Sequence, residues 1–176
     1  MLKIPRCYWP GVKRSDDQEL QLHVFCDASA KSFAAVAFVR LQMPDGVHVS
    51  LVASSGRVYP LKPMSIPRLE LQAAVLASRL SASIQDEHDL EFKRVVYWSD
   101  SKTVLSWIRA DAHHFKPFVA HCLGETDERT DVGQWRWVPT KDNVADDAIQ
   151  GIRVREMHQQ SRWFRGPPFL SKPESE

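Results

Sequence analysis

The order of apolar runs along this chain predicts an α/β fold built on a mixed sheet. Three observations carry that expectation. Three strand-like runs open the sequence, at residues 20–27, 33–41 and 47–54, and helical periodicity takes over from Pro67. Strand-like and helical stretches then alternate, as they do when helices pack on the faces of a sheet. Pro44-Asp45-Gly46 stands between the second and third runs as a hairpin turn, so the opening strands read as antiparallel.

The elements follow in order. Residues 20–27 alternate and then turn apolar, which suits a strand. Pro67 takes a first helical position, and Leu69, Ala73, Leu76 and Leu80 recur at helical spacing. Residues 95–98 form a short buried strand, after which Ser99 or Ser101 caps a helix over 103–109. Residues 115–126 read as a further helix. Residues 135–138 are a strand stopped by Pro139, and 143–149 a short helix ended by Gly151. The order is β-β-β-α-β-α-α-β-α. Residues 1–19 are rich in Pro, Gly and charge and read as a lead-in or linker, 20–151 as the domain, and 152–176 as a C-terminal tail or linker.

Composition bounds the function. The chain has 176 residues, 43% of them hydrophobic and 26% charged, which allows a real core and places it among globular proteins. Its 23 basic and 22 acidic residues leave a net charge of +1, against a protein that grips nucleic acid by bulk charge. Cys7, Cys26 and Cys122 are widely spaced and form no zinc pattern; reduced thiols in an intracellular compartment, cytoplasm or nucleus, are the simplest reading. There is no signal-peptide core and no apolar run long enough to span a membrane, so no membrane partner is expected.

The chemistry lies in four acids. Phe25-Cys26-Asp27-Ala28-Ser29 puts a carboxylate where an apolar strand ends, and Tyr97-Trp98-Ser99-Asp100-Ser101 does so again. Strand ends open into the crevice where α/β sites lie. A lone carboxylate there is costly unless a cation or hydrogen bonds offset its desolvation. Glu70 falls near the start of the first long helix between Leu69 and Leu71, and Asp146 in the first turn of the last helix. Together they suit hard divalent cations such as Mg²⁺, which take oxygen ligands. Each acid alone also has an ordinary reading. Asp27 and Asp100 would serve as turn caps, Glu70 as a helix charge, and Asp146 or Asp147 as a favourable charge at a helix N-terminus.

These residues resemble a known family. Residues 25–29, Arg68-Leu69-Glu70-Leu71, Trp98-Ser99-Asp100-Ser101 and Asn143-Val144-Ala145-Asp146 resemble the four acidic motifs of ribonuclease H, in order. Gln134-Trp135-Arg136-Trp137-Val138-Pro139 resembles the strand before the last catalytic Asp. The wording at 22–29, 65–74 and 135–147 is similar to the BEL/Pao class of LTR retrotransposons. The resemblance spans roughly 20–151. It implies a ribonuclease H-like fold with a five-stranded mixed sheet in the order 3-2-1-4-5 and helices on both faces. It implies an endonuclease that hydrolyses the RNA strand of an RNA–DNA hybrid with two Mg²⁺ ions, Mn²⁺ substituting. Asp27 would bridge both ions, Glu70 and Asp100 would hold the one on the leaving-group side, and Asp146 the one that activates water. The implied partners are the hybrid and the reverse transcriptase and integrase portions of a parent polyprotein. The chain departs from many relatives at Val144 (Pro), at Gln150 (Arg), and in 139–142, which lacks the His of many cellular members. The adjacent Asp147 competes with Asp146 for the fourth position.

Substrate contacts are expected from Arg57, Lys62, Arg68 and Lys116; taken singly, Arg68 reads as well as a surface salt bridge, and Arg57, Lys62 and Lys116 read first as solvated surface charges. Trp107 and Phe115 read as core. Tail residues Arg153, Arg155, Arg162 and Arg165 would add electrostatic affinity or do nothing. Two other classes compete with the enzyme. One is a domesticated, non-catalytic module that binds nucleic acid or protein. The other is an integrase or transposase, which would need its Glu after both Asp residues, whereas Glu70 lies between them.

Overall fold

The computed structural model describes residues 7–8, 19–44, 46–58, 64–151 and 158–173. Five strands form one sheet: β1 (Glu19–Ala28), β2 (Ser32–Met43), β3 (Gly46–Val58), β4 (Arg94–Ser99) and β5 (Trp135–Trp137). Their spatial order is β3-β2-β1-β4-β5, as expected. β1 pairs with β2, and β2 with β3, antiparallel. β1 pairs with β4, and β4 with β5, in parallel. Pro44 follows β2, Gly46 opens β3, and Asp45 between them lies outside the described residues. The register of β2 on β3 shifts between Ala37 and Phe38, a bulge that bends the outer pair.

β1 is the central strand, and its period-2 alternation serves two cores. Leu22, Val24 and Cys26 enter a large cluster with Ala35, Ala37, Val95, Tyr97 and Trp135. Three helices cover that face: α1 (Ile66–Glu87), α2 (Lys102–Ile108) and α3 (Pro117–Asp127). Leu69, Ala73 and Leu76 of α1 join this cluster, and Trp107 and Phe115 pack against it with ring centroids 5.9 Å apart. On the opposite face Phe25, Val36, Phe38 and Val49 meet Val138, Val144 and Ala145. The last two belong to the start of α4 (Ala145–Gln150).

Beyond the domain expected to end at 151, the stretch 158–173 also packs on this second face. α5 (Arg162–Arg165) is followed by a 3-10 turn, Pro168–Ser171. Leu170 is buried in the second cluster, and Trp163 and Phe169 pack against it. The Phe169 ring meets Trp98 edge-on at 5.0 Å. Arg40, buried on β2, donates from Nε to the Leu170 carbonyl at 3.0 Å and from Nη2 to the Lys172 carbonyl at 2.9 Å. A charged, tail-like composition hides these few apolar anchors, which is why the sequence reads as a linker here. Of the lead-in, Cys7, Tyr8 and Glu19 are described, and Glu19 already belongs to β1. The Tyr8 hydroxyl lies 2.7 Å from His88 Nε2. Among the described residues no helix is long and apolar enough to cross a membrane.

Gly166 makes the sharpest demand on this packing. Its φ is +71°, and a Cβ built there would lie 3.1 Å from both Leu170 Cδ1 and Val49 Cγ1. Gly166→Ala is expected to cost about 1–2 kcal/mol through strain and crowding. Its melting temperature should fall by roughly 3–8 °C for a chain of this size. An unchanged melting curve would mean that the segment does not pack on β3.

Candidate active site

Parallel pairing places two acids side by side. The β1–β4 register ends with Cys26 opposite Ser99, so Asp27 and Asp100 follow at the same edge of the sheet. The two other acids arrive from helices, Glu70 in the first turns of α1 and Asp146 at the start of α4. All four are partly buried. The Asp27 carboxyl is pushed up to about 7, first by burial and then by the negative charges of Asp100, Asp146 and Glu70. The Ala28 amide, 2.7 Å from Asp27 Oδ1, offsets part of that rise. Glu70 is also raised, by burial and by Asp100, and is partly relieved by Ser101. Of the adjacent pair on α4, Asp146 is the one whose charge acts on Asp27. Asp147 is taken up by Arg162, whose Nε and Nη2 donate to its two oxygens at 2.8 and 2.5 Å.

The hydrogen bonds holding these acids come from neutral side chains beside them. Ser101 caps α2 by accepting from the Val104 amide at 3.2 Å, and its hydroxyl donates to Glu70 Oε2 at 2.7 Å. Of the two serines expected as the cap, Ser101 is therefore the one used. Thr140 Oγ1 donates to Asp100 Oδ2 at 2.7 Å. Asn143, fully buried, donates from Nδ2 to the Cys26 carbonyl at 3.1 Å and to Asp100 Oδ1 at 3.2 Å, and accepts from the Ala145 amide at 3.2 Å. One side chain thus ties the end of β1, the acid after β4 and the first residue of α4. Gln150, at a position where many relatives carry Arg, donates to both oxygens of Asp146 at 2.7 and 2.8 Å. The cue for Asn143 was its place in an acidic motif. Thr140 had no local signal, because its partner Asp100 lies 40 residues away in the chain, and the bond of Ser101 to Glu70 spans 31 residues.

Chemically, the donor set is oxygen-only and mutually repulsive, which suits a hard divalent cation. As the side chains stand, no three His, Cys, Asp or Glu residues among those described are arranged to hold a metal ion. Hydrogen bonds to Ser101, Thr140, Asn143 and Gln150 occupy oxygens of three of the four acids. Burial also raises the Cys26 thiol beside the site, which keeps it protonated.

The expected substrate contacts are dispersed. Arg57 is exposed near the end of β3, with Nη1 3.0 Å from the Gly56 carbonyl. Arg68 lies two residues before Glu70 on α1, its guanidinium 5.5 Å from the centre of the Phe118 ring. Lys116 is exposed at the N-cap of α3. Lys62, Arg153 and Arg155 lie outside the described residues. Trp137, not singled out from the sequence as a contact, is exposed beside Asp100. Its Nε1 donates to the Asp100 carbonyl at 3.2 Å, and Lys102 Nζ sits 5.4 Å from its ring.

The Asp27 carboxyl gives a pH signature. Unfolded, it ionises near its ordinary 3.8, whereas the folded chain holds the proton until about 7. Its contribution to stability is therefore fully present below the unfolded value and is lost as pH rises through the folded one. Asp27→Asn cannot ionise. In a chelator its melting temperature should match the parent near pH 4 and exceed it at pH 8 by about 3–8 °C. Parallel melting curves from pH 4 to 8 would show that neither burial nor its acidic neighbours raise Asp27.

No curated protein matches the chain. Among solved structures it is similar to the N-terminal RNase H domain of a Mycobacterium tuberculosis protein, with 12% identity, 74% of this chain and 90% of that one covered, and a TM-score of 0.48. It is similar to RNase H1 from the halophilic archaeon Halobacterium salinarum, with 15% identity, 76% and 99% covered, and a TM-score of 0.44. It is also similar to LC11-RNase H1 in complex with an RNA/DNA hybrid, with 14% identity, 74% and 99% covered, and a TM-score of 0.45. The sequence pattern of the Pao retrotransposon-like RNaseH-like domain matches residues 1–101, a stretch that includes Asp27, Glu70 and Asp100. The chain belongs to that family.

Proposed function

We propose that this chain is a metal-dependent endoribonuclease, of retroelement origin, that hydrolyses the RNA strand of RNA–DNA hybrids. The observation that carries this reading is the convergence of four acids from four segments, close enough that Asp27 is pushed up to about 7 in part by the other three. Asp27, Glu70, Asp100 and Asp146 are the residues that would hold two Mg²⁺ ions, with Mn²⁺ as a substitute. Bound there, such ions lower the pKa of water and stabilise charge on a phosphodiester. Around them, Ser101 aims Glu70, Thr140 and Asn143 aim Asp100, and the Ala28 amide holds Asp27. Asp146 is preferred to Asp147 because the latter is already paired with Arg162.

Discrimination for a hybrid would come from groove shape and 2′-hydroxyls rather than base edges. Arg57, Arg68 and Lys116, with Lys62, are the proposed phosphate contacts. A net charge of +1 implies modest, salt-sensitive affinity. The reverse transcriptase and integrase portions of a polyprotein are the proposed partners. A second reading, a non-catalytic binding module, is favoured by one observation: the Gln150 amide occupies both oxygens of Asp146.

Two measurements test the enzyme. On a labelled RNA–DNA hybrid at low salt with Mn²⁺, the parent should cut RNA, while Asp27→Asn should be slower by roughly two to three orders of magnitude. Hybrid binding without cleavage by the parent would favour the binding module instead. Separately, millimolar Mn²⁺ should raise the parent melting temperature by about 3–6 °C, since a cation bound only by the folded chain stabilises it by mass action. Asp100→Asn should blunt that rise. A parent curve indifferent to Mn²⁺ would count against the metal site.

A further inference from the structure

We propose that the segment 158–173 is a strap that completes the acidic site, and that its Arg162 is a positioning residue for Asp146 in binding a divalent cation. This rests on the metal-dependent reading above and deepens it.

α4 has six residues, too short to hold its own azimuth in water. Its orientation must come from tertiary contacts. Val144 and Ala145 supply one set by packing into the second cluster. Arg162 supplies another. Its Nε and Nη2 fork onto Asp147, and its Nη1 donates to the Lys141 carbonyl at 2.6 Å. One planar guanidinium therefore ties α4 to the 3-10 turn Thr140–Asp142, which carries the Thr140 hydroxyl bonded to Asp100. A planar fork with several donors suits this task better than a point charge.

Successive helical side chains point about 100° apart. Fixing Asp147 on Arg162 thus fixes the direction of Asp146. It also neutralises the adjacent carboxylate, which would otherwise add repulsion beside an already acidic cluster. The strap can bear this role because it is anchored independently of α4. Leu170 is buried, Phe169 packs on Trp98, and Arg40 binds the Leu170 and Lys172 carbonyls.

The test uses the full chain and its Arg162→Ala and Arg162→Lys variants. Mn²⁺ binding is measured by calorimetry, backbone amide exchange of residues 140–150 by NMR, and hybrid cleavage as kcat and KM. Arg162→Ala should weaken Mn²⁺ binding about 10-fold, the usual effect of losing a partner that orients metal ligands. It should speed exchange over 140–150 while exchange in β1 and β4 stays parent-like, and lower kcat with KM for the hybrid within about twofold; general destabilisation would instead speed exchange across the whole sheet. Arg162→Lys, which keeps the charge but not the fork, should recover only part of the Mn²⁺ affinity. Parent-like Mn²⁺ affinity and parent-like exchange in Arg162→Ala would overturn the proposal and leave the nuclease reading standing. If the parent itself binds no Mn²⁺, the metal-dependent reading fails and the cation role of Arg162 fails with it. Exchange then shows separately whether the strap orders α4.

Discussion

Parallel pairing of β1 with β4 is the constraint on which the rest of this molecule depends. Their pairing ends at Cys26 and Ser99, so the next residues, Asp27 and Asp100, are forced to the same edge of the sheet. Burial and proximity then act in one direction, both raising the proton affinity of Asp27. An arrangement of this kind opposes folding by itself. It persists because the surrounding chain over-determines it: α1 and α3 cover one face, α4 and α5 the other, and neither strand can slip by one residue without turning its core side chains to the wrong face.

The strain is offset by hydrogen bonds from neutral side chains. Asn143 is the node, reaching the Cys26 carbonyl, Asp100 and the Ala145 amide together. Removing it would take one hydrogen bond from the Cys26 carbonyl and one from Asp100, and a lost hydrogen bond of this kind costs about 0.5–1.5 kcal/mol, more at a charged group. Ser101 plays a smaller version of this part between α2 and Glu70. The site is therefore a meeting of β1, α1, the turn after β4, and α4, held by polar groups that belong to none of the acids.

A second buried polar group lies on the face away from α1. Trp98 Nε1 donates to His23 Nδ1 at 3.1 Å, so the proton of this ring sits on Nε2, which donates to Gln21 Oε1 at 2.9 Å. Burial, then the charges of Arg40 and Arg94, lower His23 to about 3 and keep it neutral. Gln21 also accepts from Arg40 Nη1 at 3.4 Å. The same arginine binds the strap carbonyls, so this network links the central strand to the C-terminal segment. Buried polar chains of this sort are favourable only when each member is satisfied.

By itself, the sequence determined the class of fold and the order of elements, and it marked four acids as candidates. Each of these is local: strand alternation, helical spacing and a carboxylate at the end of an apolar run can be seen within a few residues. Element ends moved by a few residues, as at α4, expected from residue 143 but starting at Ala145, from whose amide the Asn143 side chain accepts. Only the tertiary structure decided which of Ser99 and Ser101 caps α2, that Asp146 rather than Asp147 acts on Asp27, and that 158–173 packs on the sheet. The physical reason is the same in each case. These outcomes depend on partners far away in the chain, such as Arg162 for Asp147, Glu70 for Ser101, and Arg40 for the strap carbonyls. Such pairings are fixed by the folding of the sheet, and no local pattern records them.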